Sequence, residues 1–210
     1  MTFRLHPLFL VLLLAGCAAS PAELPLVPEP TSETRLAYDL SRLPDAVGAL
    51  RLATMRAYPV AEMGSHYRYM GTGLVLDVYV YPIGRRVLAA APGDPEREES
   101  ATFVEVLEVQ RRQGAYSSVR VTGQQPLLLE AGDRSFRAWR VSALVARGTA
   151  ERETHQHLVT VGERFIKVRT TFPVGESRVE DVESYLSELL GMLEIDMSPS
   201  RTERPVAART

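Results

Sequence analysis

Glu151, Glu153, His155 and His157 recur at every second position. A β-strand projects residues at that spacing onto one face. Two imidazoles with a carboxylate beside them supply three ligands of the kind zinc or copper takes. His66, from an earlier segment, is a further candidate ligand. The same pattern also fits a solvated polar strip near a strand start, whose imidazoles titrate near neutral pH. A second group is aromatic: Tyr58, Tyr67, Tyr69, Tyr79 and Tyr81. Tyrosines on a sheet offer area and one hydroxyl each, so Tyr67, Tyr69, Tyr79 and Tyr81 form a candidate binding face. The competing reading buries these rings under a helix. Lys167 and Arg169 point outward from their strand and suit either an anionic partner or plain solvation.

Recognised catalytic patterns are missing. The chain holds no G-x-S-x-G, no H-E-x-x-H, no P-loop and no dinucleotide fingerprint. No catalytic residue is assigned, and a binding role is expected ahead of an enzymatic one. The single cysteine, Cys17, allows no intramolecular disulfide and no cysteine-rich metal site. Lys plus Arg number 24 against 26 Asp plus Glu, so bulk charge gives no drive towards nucleic acid. Lys167 is the only lysine, and the remaining basic residues are scattered arginines. A GC-rich codon bias explains that excess as well as function does. Hydrophobic residues at 45% are enough for a real core.

The first residues carry Arg4 and His6 and no acid, followed by the apolar run Leu8–Leu14 and the small residues Ala15 and Gly16. This is the layout of a signal segment, and the run is well below the ~20 residues of a spanning helix. Leu14-Ala15-Gly16-Cys17 resembles the lipobox of bacterial lipoproteins. The resemblance implies cleavage between Gly16 and Cys17, with acyl chains attached to Cys17. Two or more chains give a stable anchor. The expected arrangement is therefore a signal peptide over 1–16, a lipidated cysteine and Pro-rich tether over 17–34, one domain over 35–197 and a polar tail over 198–210. The tether spans about 50 Å when extended. By the same resemblance, Ala18 favours the periplasmic face of an outer membrane over inner-membrane retention. The membrane, reached through the lipid, and an envelope protein are the expected partners. No cofactor is expected beyond the covalent lipid.

These residues need a scaffold. Strands are expected over 48–58, 65–70 and 74–81, then a helix from Asp94 to Gly114. Asp94 is its cap, and Phe103, Val106, Leu107 and Gln110 its apolar side. Four strands follow over 119–130, 134–147, 152–161 and 164–172, with turns at Gly132-Asp133 and Gly162-Glu163. Ser177 and Glu180 read as a capping box for a last helix carrying Val179, Val182, Leu186, Leu189, Leu190 and Leu193.

Tight hairpins predict an α+β domain, a mainly antiparallel sheet with two amphipathic helices packed on it. The order of elements, with Leu76-Asp77-Val78-Tyr79-Val80-Tyr81-Pro82 and Phe165-Ile166-Lys167-Val168-Arg169 before the final helix, resembles the Mog1/PsbP-like fold. That resemblance implies a binding or assembly module. The expectation for function is a membrane-anchored envelope lipoprotein with a non-enzymatic binding or assembly domain. The alternative is a metal-binding protein or metal-dependent enzyme using His155 and His157.

Overall fold

The computed structural model describes residues 37–38, 42–71, 73–83, 94–193 and 195–196. All of them fall within one compact unit, Ser32–Thr210. Gly16, Cys17 and the tether lie outside the described residues, as does the tail. In chain order the strands are β1 (Ala37–Tyr38), β2 (Ala46–Val47), β3 (Leu50–Ala57), β4 (Ser65–Gly71), β5 (Leu74–Pro82), β6 (Ser118–Ala131), β7 (Arg134–Arg147), β8 (Ala150–Val161), β9 (Arg164–Pro173) and β10 (Ile195–Asp196). Helix α1 (Pro95–Arg112) follows β5, and α2 (Val179–Met192) follows β9.

Eight strands form one antiparallel sheet in the order β2-β3-β4-β5-β9-β8-β7-β6, and β1 pairs with β10 apart from it. The α+β class expected from the sequence holds. Two blocks of hairpins build the sheet. β3, β4 and β5 are chain neighbours, as are β6, β7, β8 and β9. The blocks meet where β5 pairs with β9, Val78 opposite Val168. Between β3 and β4 the chain turns at Gly64, whose φ is 63°. A Cβ there would lie 1.8 Å from the Val80 carbonyl oxygen, so only glycine fits.

The period-two alternation divides the sheet cleanly. Leu74, Leu76, Val78 and Val80 of β5, Ile166 and Val168 of β9, and Tyr67 and Tyr69 of β4 share one face. There they enclose Val182, Tyr185, Leu186, Leu189 and Leu190 of α2. Burying each of these leucines contributes about 1.5–3 kcal/mol. This is why an amphipathic helix ends the domain. On the opposite face α1 lies against β6, β7 and β8. Phe103 and Leu107 fill a smaller core with Val141, Ala143 and Val145.

Local details depart from the sequence reading. Val106 is 43% exposed, and the buried stripe of α1 is Glu96, Ser100, Phe103 and Leu107. Asp94 stands at the helix start but makes no side-chain cap; its carboxylate pairs with Arg137 of β7. Ser177 does not cap α2 either. The cap position falls on Arg178, and the Ser177 hydroxyl is hydrogen-bonded to His155. In both places a partner across the sheet outcompetes the helix's own amides.

Candidate functional site

His155 and His157 do share a face, the one covered by α2, and the structure buries them there at 6% and 0% exposure. Both ring nitrogens of His155 are engaged, whereas at His157 only Nε2 is, and its Nδ1 is buried without a hydrogen-bond partner. His155 Nδ1 lies 2.9 Å from Ser142 Oγ, and its Nε2 lies 3.2 Å from Ser177 Oγ and 3.7 Å from Glu153 Oε2. His157 Nε2 lies 3.3 Å from Glu183 Oε1, which also accepts from Arg140 Nη1 at 2.5 Å. Glu151 is exposed near the start of the strand. His66 faces the other side of the sheet, three strands away. Among the described residues no three His, Cys, Asp or Glu side chains converge as a metal site would need. The expected zinc or copper set is therefore corrected to a buried polar network that ties β7 and β8 to α2. Burial pushes the pKa of both rings down. At His155 the charge of His157 adds to this and Glu153 opposes it, while at His157 Glu183 opposes it.

The four-tyrosine face is also corrected, because the hairpin register splits it. Tyr67 pairs with Val78 and Tyr69 with Leu76, so both rings enter the α2 core at 0% exposure. Tyr69 donates to the Pro44 carbonyl at 2.7 Å and packs on Tyr185, with ring centroids 5.5 Å apart. Tyr79 and Tyr81 occupy the alternate positions of β5 and emerge on the opposite face.

That opposite face holds the candidate site. α1 packs chiefly against β6–β8 and meets the end of β5 where the Tyr81 hydroxyl donates to Glu99, while among the described residues neither α-helix packs against β3 and β4 on this side. Tyr79 stacks on His66 at 4.6 Å between ring centroids and 20° between planes. Asp77 accepts from Arg68 Nε at 2.8 Å and from Arg68 Nη2 at 3.0 Å, and it lies 2.8 Å from His66 Nε2. Burial alone would raise the Asp77 pKa. The hydrogen bonds from Arg68 and His66 outweigh it and hold the carboxyl below its ordinary value.

Next to this pair, Lys167 of β9 lays its ammonium 4.7 Å from the Tyr81 ring centroid and 5.5 Å from that of Tyr79. Arg169 rests over Phe103 of α1 at 4.9 Å. Such cation–π contacts contribute about 0.5–2 kcal/mol each. Neither cation makes an ion pair among the described residues. Burial pushes the Lys167 pKa down; nearby Glu99 partly restores it and Arg169 adds to the lowering. A depression of about 260 Å³, lined by Val75, Asp77, Tyr79, Arg169, Thr170 and Thr171, opens beside them. Met70 and Val75, directly opposite each other on β4 and β5, add an apolar pair at 48% and 42% exposure.

The outward direction of Lys167 and Arg169 was readable from alternation. The contributions of His66, Arg68, Asp77 and Glu99 were not, because they depend on which strands become neighbours. The only available signal was the paired polar positions of the 65–82 hairpin, where Arg68 falls opposite Asp77 and His66 opposite Tyr79.

The fold defines an antiparallel α+β sheet protein with a helix on each face. No protein-family model matches the chain, and no curated protein matches it. Among solved structures it is similar to cyanobacterial PsbP (CyanoP) from Synechocystis sp. PCC 6803. The identity is 10% and the TM-score 0.43, over 70% of this chain and 82% of that one. It is also similar to a protein of Bacteroides thetaiotaomicron VPI-5482 at 10% identity and TM-score 0.34, covering 72% of this chain and 47% of the other. Likeness at this level carries no argument about function, which rests on the site's own residues.

Proposed function

We propose that this protein is a lipid-anchored lipoprotein of the bacterial cell envelope, whose α+β domain is a non-enzymatic binding or assembly module. The observation that carries the binding role is the outward face of β3, β4 and the Val75–Tyr79 stretch of β5, which no α-helix covers among the described residues, with Lys167 and Arg169 of β9 at its border. Folded monomers bury most apolar strand faces, and exposed patches with a polar rim mark interaction sites. Here Met70, Val75 and Tyr79 form the apolar and aromatic part, and Arg68, Lys167 and Arg169 the polar part. The partner is an envelope protein. The anchoring half of the reading is supported by Leu14-Ala15-Gly16-Cys17 after its apolar run, and an outer-membrane address by Ala18.

Capture of partners from gently solubilised membranes, using the full chain, tests the binding role. The exposed double variant Met70→Asp/Val75→Asp is expected to fold and to lose the captured protein. Equal capture by wild type and variant would sink the role of this face. Anchoring is tested separately: Cys17→Ser should abolish incorporation of labelled fatty acid, and a variant that is still labelled would show the lipobox reading to be wrong.

A further inference from the structure

The strands of this face are cationic out of proportion to the chain. The sequence as a whole has a formal charge of −2. Strands β3, β4, β5 and β9 nevertheless carry a single carboxylate, Asp77, and it is already shared by Arg68 and His66. On the same face stand Arg51, Arg56, Arg68, Lys167 and Arg169. Lys167 and Arg169 hold their charges over aromatic rings with no carboxylate in ion-pair range among the described residues. Glu99 of α1 acts on Lys167 from beyond that range and offsets only part of the cost of its burial, so a carboxylate from a ligand would complete the compensation.

We infer that Lys167 and Arg169 form an anion subsite for carboxylate side chains of an acidic protein segment, which lies along β5 and β9 against the α1 edge. This rests on the binding role proposed above and names the chemistry of the partner. Three features favour a protein segment over a lipid surface or a free anion. The cations are held against aromatic rings, Lys167 on Tyr81 and Arg169 on Phe103, whereas residues that meet a bilayer extend their charged heads towards it. The depression of about 260 Å³ beside Arg169 and Tyr79 holds a side chain or two rather than a headgroup layer. The exposed Met70–Val75 pair next to it offers apolar contact that phosphate cannot use. Field from the surrounding arginines would speed encounter with an acidic segment and weaken with salt.

The test uses full-length protein in detergent and a fluorescent, capped Glu-Glu-Glu-Leu-Leu peptide. Because Lys167 is the sole lysine, isotopic dimethylation leaves one lysine side-chain signal in the NMR spectrum. The expected result is saturable peptide binding that shifts this signal and weakens with salt. Lys167→Gln and Arg169→Gln should each weaken binding about tenfold, while Arg147→Gln, an exposed cation elsewhere, should not. No peptide binding, or equal loss with Arg147→Gln, would overturn the inference. So would inorganic phosphate shifting the signal as tightly as the peptide, or Lys167-dependent binding to phosphatidylglycerol vesicles with none to the peptide. Should Lys167→Gln still capture the membrane partner while Met70→Asp/Val75→Asp loses it, the anion subsite falls and the binding role stands.

Discussion

Lys167 sits over Tyr81, with its ammonium 4.7 Å from the ring centroid, and the Tyr81 hydroxyl donates to Glu99 Oε1 at 2.9 Å. One tyrosine thus links β5, β9 and α1. Burial, with Glu99 close by, raises the Tyr81 pKa, so the hydroxyl stays protonated and keeps its donor role. Tyr81→Phe retains the ring and loses one hydrogen bond, an expected cost of about 1 kcal/mol. Tyr81→Leu loses the ring contact as well and should cost about 1–2 kcal/mol more. Urea unfolding midpoints of the two variants check the order; equal loss would mean that the ring face does not hold Lys167.

Glu183 is shared by Arg140 and His157 at 2.5 Å and 3.3 Å. Glu183→Ala strands both donors between β7, β8 and α2. The expected loss is about 1.5–3 kcal/mol, the range for hydrogen bonds to charged groups. A double-mutant cycle with Arg140→Ala, read by chemical denaturation, should show strong coupling. Additive effects would mean that the pair does not act together.

Acid should destabilise the domain before its carboxylates protonate. His155 and His157 have folded pKa values pushed below the ordinary 6.5, chiefly by burial. The unfolded chain therefore binds more protons than the folded one just below that value. Their contribution is fully present above about pH 6.5 and is lost as pH falls towards the folded pKa values. The melting temperature should fall between pH 7 and pH 5, and less so in His155→Gln/His157→Gln. A wild type that melts identically across the window would refute the assignment.

The rotation of α1 is open to a paired test. Leu107 is fully buried and Val106 is 43% exposed. Leu107→Ala should cost about 2–5 kcal/mol, and Val106→Ala about 0.5 kcal/mol or less. Similar losses at the two positions would place the helix in the orientation that spacing alone suggests.

Much of this fold was legible because its connections are local. The hairpins turning after Gly71 and at Gly132-Asp133 and Gly162-Glu163 needed only alternation and a turn residue to be drawn. The apolar stripe of α2 was equally plain, since Val182, Leu186, Leu189 and Leu190 recur at helical spacing. What escaped was competition between partners. Ser177 and Glu180 spell a capping box, yet His155, brought in by β8, takes the hydroxyl. Tyr67 and Tyr79 look alike in the chain, yet register sends one into the core and the other outward. The histidines failed as a metal set because the docking of α2 could not be foreseen from their own strand. Lys167 and Arg169 were visible as outward-facing residues, but their aromatic beds arrive from β5 and α1.

The β5–β9 junction also bears on how the molecule comes to be. Within each block every strand finds its partner in the adjoining stretch of chain, so those ladders can zip early and fast. Asp77 meets Arg169 only after α1 and three further strands have been made. Closing so long a loop carries an entropic cost before its contacts form, which slows folding. The ladder edges of β5 and β9 are then the last to be sealed, and until then each is an open template for a neighbouring chain. The domain thus depends on one late pairing, and the cationic face described above exists only once that pairing is made.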